Sequence, residues 1–132
     1  METGKARRVV DLGSGMGGVV TTLAGRHRDV EVSGFETAPL VVLASKLRVA
    51  LSGRANARIV YKSLWEAQLD SYDLVYCFLS PVPMTRLYAK ARREMRPGTL
   101  FVSNSFPVEG IAADRIIEVE DGRRTRLHVY AM

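Results

Sequence analysis

Residues 9–18 constrain the fold more than any other part of the sequence, because they read VVDLGSGMGG. A short apolar run ends there in four closely spaced glycines, and a segment of helical character follows. Glycine adopts backbone angles that other residues avoid, and its missing side chain lets a ligand approach the backbone. The pattern therefore predicts a strand that turns sharply into a helix, with a ligand site at the turn.

Apolar runs and helical segments alternate along most of the chain. Such alternation favours a parallel α/β sheet with right-handed connections. The run at residues 72–79 is apolar almost throughout, which is typical of a strand buried on both faces. Strands are predicted at residues 8–12, 30–35, 57–61, 72–79 and 99–103.

Three helices are predicted between these strands. The first covers residues 17 to about 28. The second has Thr37 as its candidate N-cap, Pro39 in its first turn and Gly53 at its C-terminal end. Helical spacing supports the second helix at Leu40, Leu43, Leu47 and Leu51, and the third at Met84, Leu87, Tyr88, Ala91 and Met95.

The end of the chain has a different character. Residues 115–120 and 125–130 are rich in β-forming residues, and Asp121-Gly122 between them is a turn signal. Apolar and polar residues alternate over 126–131, which predicts a last strand inside the sheet and antiparallel to its neighbours. The predicted fold is thus a mostly parallel, seven-stranded α/β sheet that ends in an antiparallel hairpin.

The composition excludes several classes of site. Cys77 is the single cysteine, so the given chain has no internal disulfide framework and no multi-cysteine metal site. Because Cys77 lies in the apolar run, we interpret it as a small buried hydrophobic residue. The two histidines, His27 and His128, have no recognisable catalytic context, and no metal site is predicted.

Charge and hydropathy bear on location and partners. The sequence has neither a signal-peptide pattern nor an apolar run of transmembrane length, so a cytoplasmic location is expected, with membrane association only through a partner or an upstream segment. The net charge is +5, and arginines occur in small groups. A basic surface is compatible with nucleic acid, anionic lipid, an acidic protein or simple solubility.

The glycine turn matches two ligand-binding patterns. Gly13, Gly15 and Gly18 fit the dinucleotide fingerprint. Gly13, Gly15 and Gly17, with Asp11 two residues ahead of the first, fit motif I of class I methyltransferases, which bind S-adenosylmethionine (SAM).

Two of three further features favour SAM. An acid at Asp11 suits a ligand with an ammonium and a sulfonium, whereas a pyrophosphate gains nothing from a nearby anion. Glu36, at the end of the second strand, can accept both ribose hydroxyls, but dinucleotide sites also use a carboxylate there. The terminal hairpin does not suit a dinucleotide domain, whose sixth strand is parallel.

The sequence resembles the class I SAM-dependent methyltransferases over essentially its whole length, with a Rossmann-like fold. Within them it is most similar to the lysine methyltransferases of the ATP synthase c-subunit and the adenine nucleotide translocase, with their prokaryotic relatives. The resemblance rests on residues 9–15, Gly34-Phe35-Glu36, the leucine-rich helix, residues 62–65, 72–75, 78–81, 96–99 and 103–107, and Val129-Tyr130. It implies one methyltransferase domain over residues 1–132, short or truncated at its N-terminus.

The resemblance also implies a set of cofactor residues. Asp11, Gly13, Gly15 and Gly17 would hold the methionine end of SAM, and Glu36 its ribose. Ser63 and Leu64 would flank the adenine, and Ser14, Thr37 and Leu79 are assigned to the same site. Two positions depart from the family, since Met16 replaces a usual acid and Ser63 stands where an aspartate often receives the adenine amino group.

The acceptor implied by the family is a protein lysine, positioned by Ser80 and Pro81. The segment 79–83 follows the fourth strand, and its prolines lack N–H groups, so we expect it to offer free carbonyls to an amine. The alternative interpretation of segment 79–83 is a stiff loop before the third helix, with no role in acceptor binding. Residues 103–105 follow the fifth strand and should lie nearby, because parallel sheets bind ligands beyond the carboxyl ends of their strands. We interpret Trp65 as a core or rim residue in preference to a platform for the substrate.

Several alternatives remain open at this point. An RNA or DNA base methyltransferase is the nearest, although Ser80-Pro81-Val82-Pro83 only partly resembles the loop of the adenine enzymes. A small-molecule methyltransferase, a non-catalytic SAM-binding subunit and a nicotinamide oxidoreductase are the others. The sequence assigns neither the individual acceptor nor an oligomeric state.

Overall fold

The computed structural model describes residues 7–120, 122 and 124–132. Its centre is one seven-stranded sheet with the order β3-β2-β1-β4-β5-β7-β6. Neighbours among the first five strands are parallel, whereas β7 runs antiparallel to both β5 and β6. The strands are β1 Arg8–Leu12, β2 Glu31–Glu36, β3 Ala57–Tyr61, β4 Leu74–Cys77, β5 Leu100–Asn104, β6 Arg115–Val119 and β7 Thr125–Ala131.

Helices cover both faces of the sheet. They are α1 Gly18–Arg26, α2 Pro39–Ser52 and α3 Pro81–Glu94, with short 3-10 turns at Leu64–Glu66 and Leu69–Ser71. On one face α1 and α2 bury Val20, Ala24 and Val42 against β2 and β3. On the other face α3 packs its apolar stripe against β1, β4, β5 and β7. None of the helices among the described residues is long and apolar enough to cross a membrane.

The predicted fold is confirmed, including the terminal hairpin and the position of the last strand inside the sheet. The stripe of the third helix is also confirmed, because Met84, Leu87 and Ala91 are fully buried. Cys77 is buried as expected, and burial raises the pKa of its thiol to about 12. Within the predicted turn, Gly122 has a positive φ of 79°, while Asp121 and Arg123 lie outside the described residues.

Two local expectations need correction, and one further feature could not be predicted. Ala38, not Thr37, is the N-cap of α2, and no side-chain hydroxyl caps this helix. The fourth strand is only Leu74–Cys77, shorter than the apolar run, because Phe78 leaves the sheet and lies exposed beside Phe106. The leucines of α2 form a stripe, but that stripe faces away from the core.

The strand order positions the site. The chain proceeds outward from β1 to β3, then returns to the opposite side of β1 with β4. Open α/β sheets bind ligands at such a reversal, in the crevice beyond the carboxyl ends of the strands. Here the reversal lies between β1 and β4, directly beneath the glycine turn.

Candidate active site

The glycine turn has a backbone that only glycine adopts easily. Gly13, Gly15 and Gly17 have φ values of 87°, 55° and 81°, all in the left-handed region. The N–H groups of Gly13 and Ser14 both donate to the carbonyl of Phe35 at 2.9 Å. The turn is therefore fastened to the end of β2, at the strand reversal.

Gly34 lets the turn lie close against β2. A Cβ added at Gly34 would stand 2.5 Å from Cβ of Ser14, which no real structure tolerates. Ser14 thus points toward β2, and its buried hydroxyl has no hydrogen-bond partner among the described residues. By contrast, a Cβ added at Gly13 or Gly15 would meet nothing within 4 Å, so the outer side of the turn is open.

Glu36 joins the turn to the start of α2 through three backbone donors. Its Oε1 accepts the N–H of Gly15 at 2.9 Å, and its Oε2 accepts those of Thr37 and Ala38 at 2.9 and 3.1 Å. Burial alone would raise the pKa of Glu36, but the three N–H bonds hold it below its ordinary value. Glu36 is therefore an anion at neutral pH.

Asp11 ends β1 beneath the same turn. Its side chain is buried. Burial, with the nearby negative charge of Glu36, raises the pKa of Asp11 to about 7. A cationic ligand beside Asp11 would lower this raised pKa, because it would stabilise the ionised form of the carboxyl group. The two acids make the turn a site for cations within a basic protein.

Ser63 and Leu64 start a 3-10 turn after β3. The Ser63 hydroxyl accepts the N–H of Trp65 at 3.2 Å, and the Ser63 N–H donates to Glu66 Oε1 at 3.2 Å. Leu64 packs against the core on the α3 side. The serine that replaces the family's aspartate thus caps its own turn. Trp65 lies at the rim, partly exposed, with the Arg86 guanidinium 4.7 Å from its ring centre.

Ser80 and Pro81 do not form the loop that was expected. Pro81 is the first residue of α3, and Ser80 is its N-cap without a side-chain hydrogen bond. The Ser80 carbonyl accepts the N–H of Met84 at 3.2 Å, and the Pro81 carbonyl accepts the Thr85 hydroxyl at 3.2 Å. The expectation of free carbonyls at these residues is wrong, because a proline at a helix start directs the following carbonyls into the helix.

A cleft of about 530 Å³ opens beside β4, β5 and β7. Its polar wall is a chain of side chains in which Ser105 Oγ donates to Asn104 Oδ1 at 2.6 Å and Asn104 Nδ2 donates to Tyr76 Oη at 2.7 Å. Phe78 and Leu127 supply apolar walls. Of the residues expected here, Asn104 and Ser105 reach the cleft. Ser103 is buried, with its hydroxyl donating to the Phe106 carbonyl.

Tyr76 connects the cleft to the glycine turn. Asp11 and Tyr76 are register partners on β1 and β4, so their side chains project on the same face. Burial raises the pKa of Tyr76, the bond from Asn104 opposes this, and the negative charge of Asp11 raises it further. The acid beneath the turn and the phenol in the cleft are therefore neighbours in one site.

Sequence reasoning missed most of the cleft. Tyr76 was seen only as part of an apolar run, and Leu127 only as part of a hairpin. The register of β7 against β5 could have revealed Leu127, because it pairs Leu127 with Asn104. Arg124 and Arg126 also line the cleft, and they were interpreted only as scattered surface charge.

Known proteins resemble this chain in both sequence and structure. Residues 11–115 match the family described as the ANTKMT methyltransferase domain. The chain is 31% identical over 117 residues to a protein-lysine N-methyltransferase of Saccharolobus islandicus (strain REY15A), a match that spans 86% of this chain and 71% of that protein.

Two solved structures illustrate the likeness of fold. The RNA methyltransferase from Salinibacter ruber, in complex with S-adenosylhomocysteine (SAH), has a TM-score of 0.85 and 25% identity, over 95% of this chain and 80% of that one. A mutant of MtNAS in complex with SAM has a TM-score of 0.70 and 14% identity, over 95% and 55% of the two chains.

The residues at the turn fit SAM. The open outer side of Gly13 and Gly15 leaves room for a ligand, and the Asp11 carboxyl group beneath the turn suits the cationic end of SAM better than a pyrophosphate. The family match covers this turn and the strands on both sides of the reversal. This chain belongs to the ANTKMT methyltransferase domain family, and it is a SAM-dependent methyltransferase with the class I fold.

Proposed function

We propose that this chain methylates the side-chain amine of a protein lysine, and that the amine enters the cleft beside Tyr76. The observation that carries the proposal is the chain of hydrogen bonds from Ser105 through Asn104 to Tyr76, next to Asp11. The related Saccharolobus islandicus protein, named a protein-lysine N-methyltransferase, supports the same acceptor.

When bound, SAM supplies a methyl group on a positively charged sulfur. A neutral amine can form a bond to that methyl carbon as the carbon–sulfur bond breaks, and SAH leaves as the neutral thioether. Asp11 would hold the ammonium end of SAM, and the open backbone of Gly13 and Gly15 would hold its methionine part. Glu36 has lone pairs left for a ribose hydroxyl beside its three backbone bonds. Thr37, Ser63, Leu64 and Leu79 remain proposed neighbours of the ribose and adenine.

The acceptor amine must lose its proton before it can attack. For a lysine of reference pKa about 10.4, this costs about 4 kcal/mol at pH 7.4. The described residues that line the cleft include Arg124 and Arg126 and no carboxylate. Positive charge and the apolar walls of Phe78 and Leu127 both disfavour an ammonium, so they lower that cost.

Tyr76 is placed to orient the neutral amine. Its oxygen already accepts from Asn104, and a phenol oxygen has a second lone pair that an amine N–H can use. That contact fixes one N–H and leaves the nitrogen lone pair for the methyl group. Alignment of this kind is the main contribution that an enzyme makes to a displacement on an activated centre.

RNA is the second candidate acceptor. Arg124 and Arg126 are exposed at the cleft mouth, and cations there suit a phosphate backbone. The Salinibacter ruber structure, which is that of an RNA methyltransferase, supports this alternative. The absence of a carboxylate from the described lining fits both candidates. The chemical identity of the methylated product therefore has to distinguish them.

The test uses the full chain, SAM labelled in its methyl group, and a cell lysate at low and moderate salt. Label that resists nuclease, disappears with protease and elutes as methyl-lysine after hydrolysis is expected. Methylation of protein should fall only modestly with salt. Label on nucleotides, with a steep fall as salt rises, would assign the acceptor to RNA or DNA.

A further inference from the structure

The outer face of α2 carries a row of exposed leucines. Leu40, Leu43, Leu47 and Leu51 are 81%, 67%, 60% and 79% exposed. The opposite face of the helix is the one that packs, with Val42 and Ser45 buried and Val49 partly so. A helix that is apolar on two opposite faces is typically covered on both. Contiguous exposed apolar side chains of this kind mark an interaction surface.

The charges around this row are arranged symmetrically. At about 100° per residue, the four leucines fall within an arc of about 80°. Lys46 and Arg48 then lie about 100° to either side of the middle of the arc. The helix contains no acidic residue. The leucine row is therefore a ridge about 17 Å long with a cation on each flank.

We propose that this leucine ridge docks the protein on an anionic lipid surface. Helices that lie in a membrane interface have leucine-type residues on one side and Lys or Arg at its edges, where the charged ends reach the headgroups. Anionic headgroups attract the two flanking cations, while the leucines enter the boundary of the acyl chains.

A second copy of the chain fits the ridge less well. Two ridges packed together would bring Lys46 and Arg48 of each copy near the same charges on the other, with no acid on α2 to offset them. A lipid surface needs neither a complementary groove nor an acidic partner side chain.

The ridge and the cleft are on opposite sides of the sheet centre. The α2 helix packs on β2 and β3, at one edge, whereas the cleft lies beside β4, β5 and β7. Docking through α2 therefore leaves the cleft accessible to a substrate. The proposal depends on the surface of α2 alone and holds whichever acceptor is methylated.

Co-sedimentation of the full chain with lipid vesicles tests the proposal. We expect binding to phosphatidylcholine vesicles that contain about one-third phosphatidylserine, and weak binding to phosphatidylcholine alone. The double substitution Leu43→Gln and Leu47→Gln should lower vesicle affinity at least about tenfold, because two exposed leucines lose their transfer into lipid. Lys46→Gln should lower binding to the anionic vesicles only.

The matched controls are Leu43→Met with Leu47→Met, which keeps the face apolar, and Ile116→Gln, which removes an exposed apolar side chain on β6. Both should bind vesicles as the unchanged protein does, and circular dichroism should show the same fold in every variant. Failure to bind anionic vesicles overturns the proposal, as does binding that the double glutamine variant leaves unchanged. Self-association in the absence of lipid that the same variant abolishes would assign the ridge to a second copy.

Discussion

The two halves of the site hold their polar atoms by different means. At the glycine turn, backbone N–H groups are fixed by left-handed glycines and by the Glu36 carboxylate, so the shape is set by the main chain. In the cleft, the side chains of Tyr76 on β4, Asn104 on β5 and Ser105 just after β5 hold one another by two hydrogen bonds. The first half is rigid and suits one constant ligand, whereas the second can change its acceptor by changing side chains.

The largest effect on cofactor binding is expected from removing the carboxylate that organises the glycine turn. Glu36→Ala should weaken SAH binding by about 1.5–3 kcal/mol, because it removes the charged acceptor proposed for the ribose and breaks the hydrogen bond that holds the Gly15 N–H. Calorimetry measures the affinity, and thermal unfolding should show a lower midpoint as well, since three backbone bonds are lost.

The matched control is Glu94→Ala. Glu94 also accepts a backbone N–H, that of Leu69 at 3.1 Å, but it lies on α3. This variant should lose stability without changing SAH affinity. Equal affinities for Glu36→Ala and the unchanged protein would mean that Glu36 is not a cofactor residue.

The next effect concerns pH. The pKa of Asp11 is raised to about 7 from an ordinary 3.8, so the free folded protein prefers the protonated acid below pH 7. A bound ammonium favours the carboxylate, so SAH affinity should rise about tenfold between pH 6 and pH 8, with proton release. Calorimetry across that range in two buffers measures both, and Asp11→Asn should abolish the slope.

Asp11 should also affect the stability of the free protein, with a defined sign. A raised pKa in the folded state contributes stability that is present below about pH 4 and is lost as the pH rises through 7. Asp11→Asn should therefore raise the free energy of unfolding at pH 8 by about 2–4 kcal/mol, with little change at pH 4. Denaturant unfolding at the two pH values checks this, and a destabilised variant at pH 8 would argue against a buried, unpaired acid.

A smaller effect separates the cleft from the turn. Tyr76→Phe keeps the ring and removes the oxygen, so kcat/KM for the acceptor should fall about tenfold, the value of one lost alignment contact. SAH affinity should stay within about twofold. Tyr61→Phe, at an exposed position on β3, is the control and should change neither quantity. If Tyr76→Phe weakens SAH binding as strongly as it slows transfer, the two halves are not separable.

The smallest effect should come from the arginines at the cleft mouth. Substituting Arg124→Gln with Arg126→Gln removes two cations that disfavour an ammonium, so the pH of half-maximal methylation should move up by about half a unit. The rate against pH with a peptide acceptor measures this shift. An unchanged pH profile, together with a raised KM for RNA that depends on salt, would instead favour phosphate binding.

The two halves also differ in what the sequence could predict. The turn is contiguous over residues 11–18, so Asp11 and its glycines were predicted from spacing alone, and Glu36 from its place at a strand end. The bond between Glu36 and Gly15 needs the register of β1 against β2, which no local pattern contains. The cap of α2 was misassigned by one residue, because the helix begins at Pro39 with Ala38 as its N-cap.

The cleft required long-range information. Tyr76, Asn104 and Leu127 come from three strands, and the return of β7 along β5 brings the last two together. Ser80 and Pro81 were expected to present carbonyls because a loop was expected, whereas the helix begins one residue after Ser80. Spacing also predicted the α2 helix from its leucines but not their direction, because Val42 and Ser45 provide the buried face.

The most direct test of the central claim is the chemical identity of the product atom. The protein is incubated with SAM carrying a deuterated methyl group and a lysate, and the products are digested and analysed by tandem mass spectrometry. We expect heavy methyl groups on lysine side-chain nitrogens, and fewer of them with Tyr76→Phe under conditions where SAH binding is unchanged. Heavy methyl groups on nucleotide bases or on small metabolites, with unmodified lysines, would contradict it.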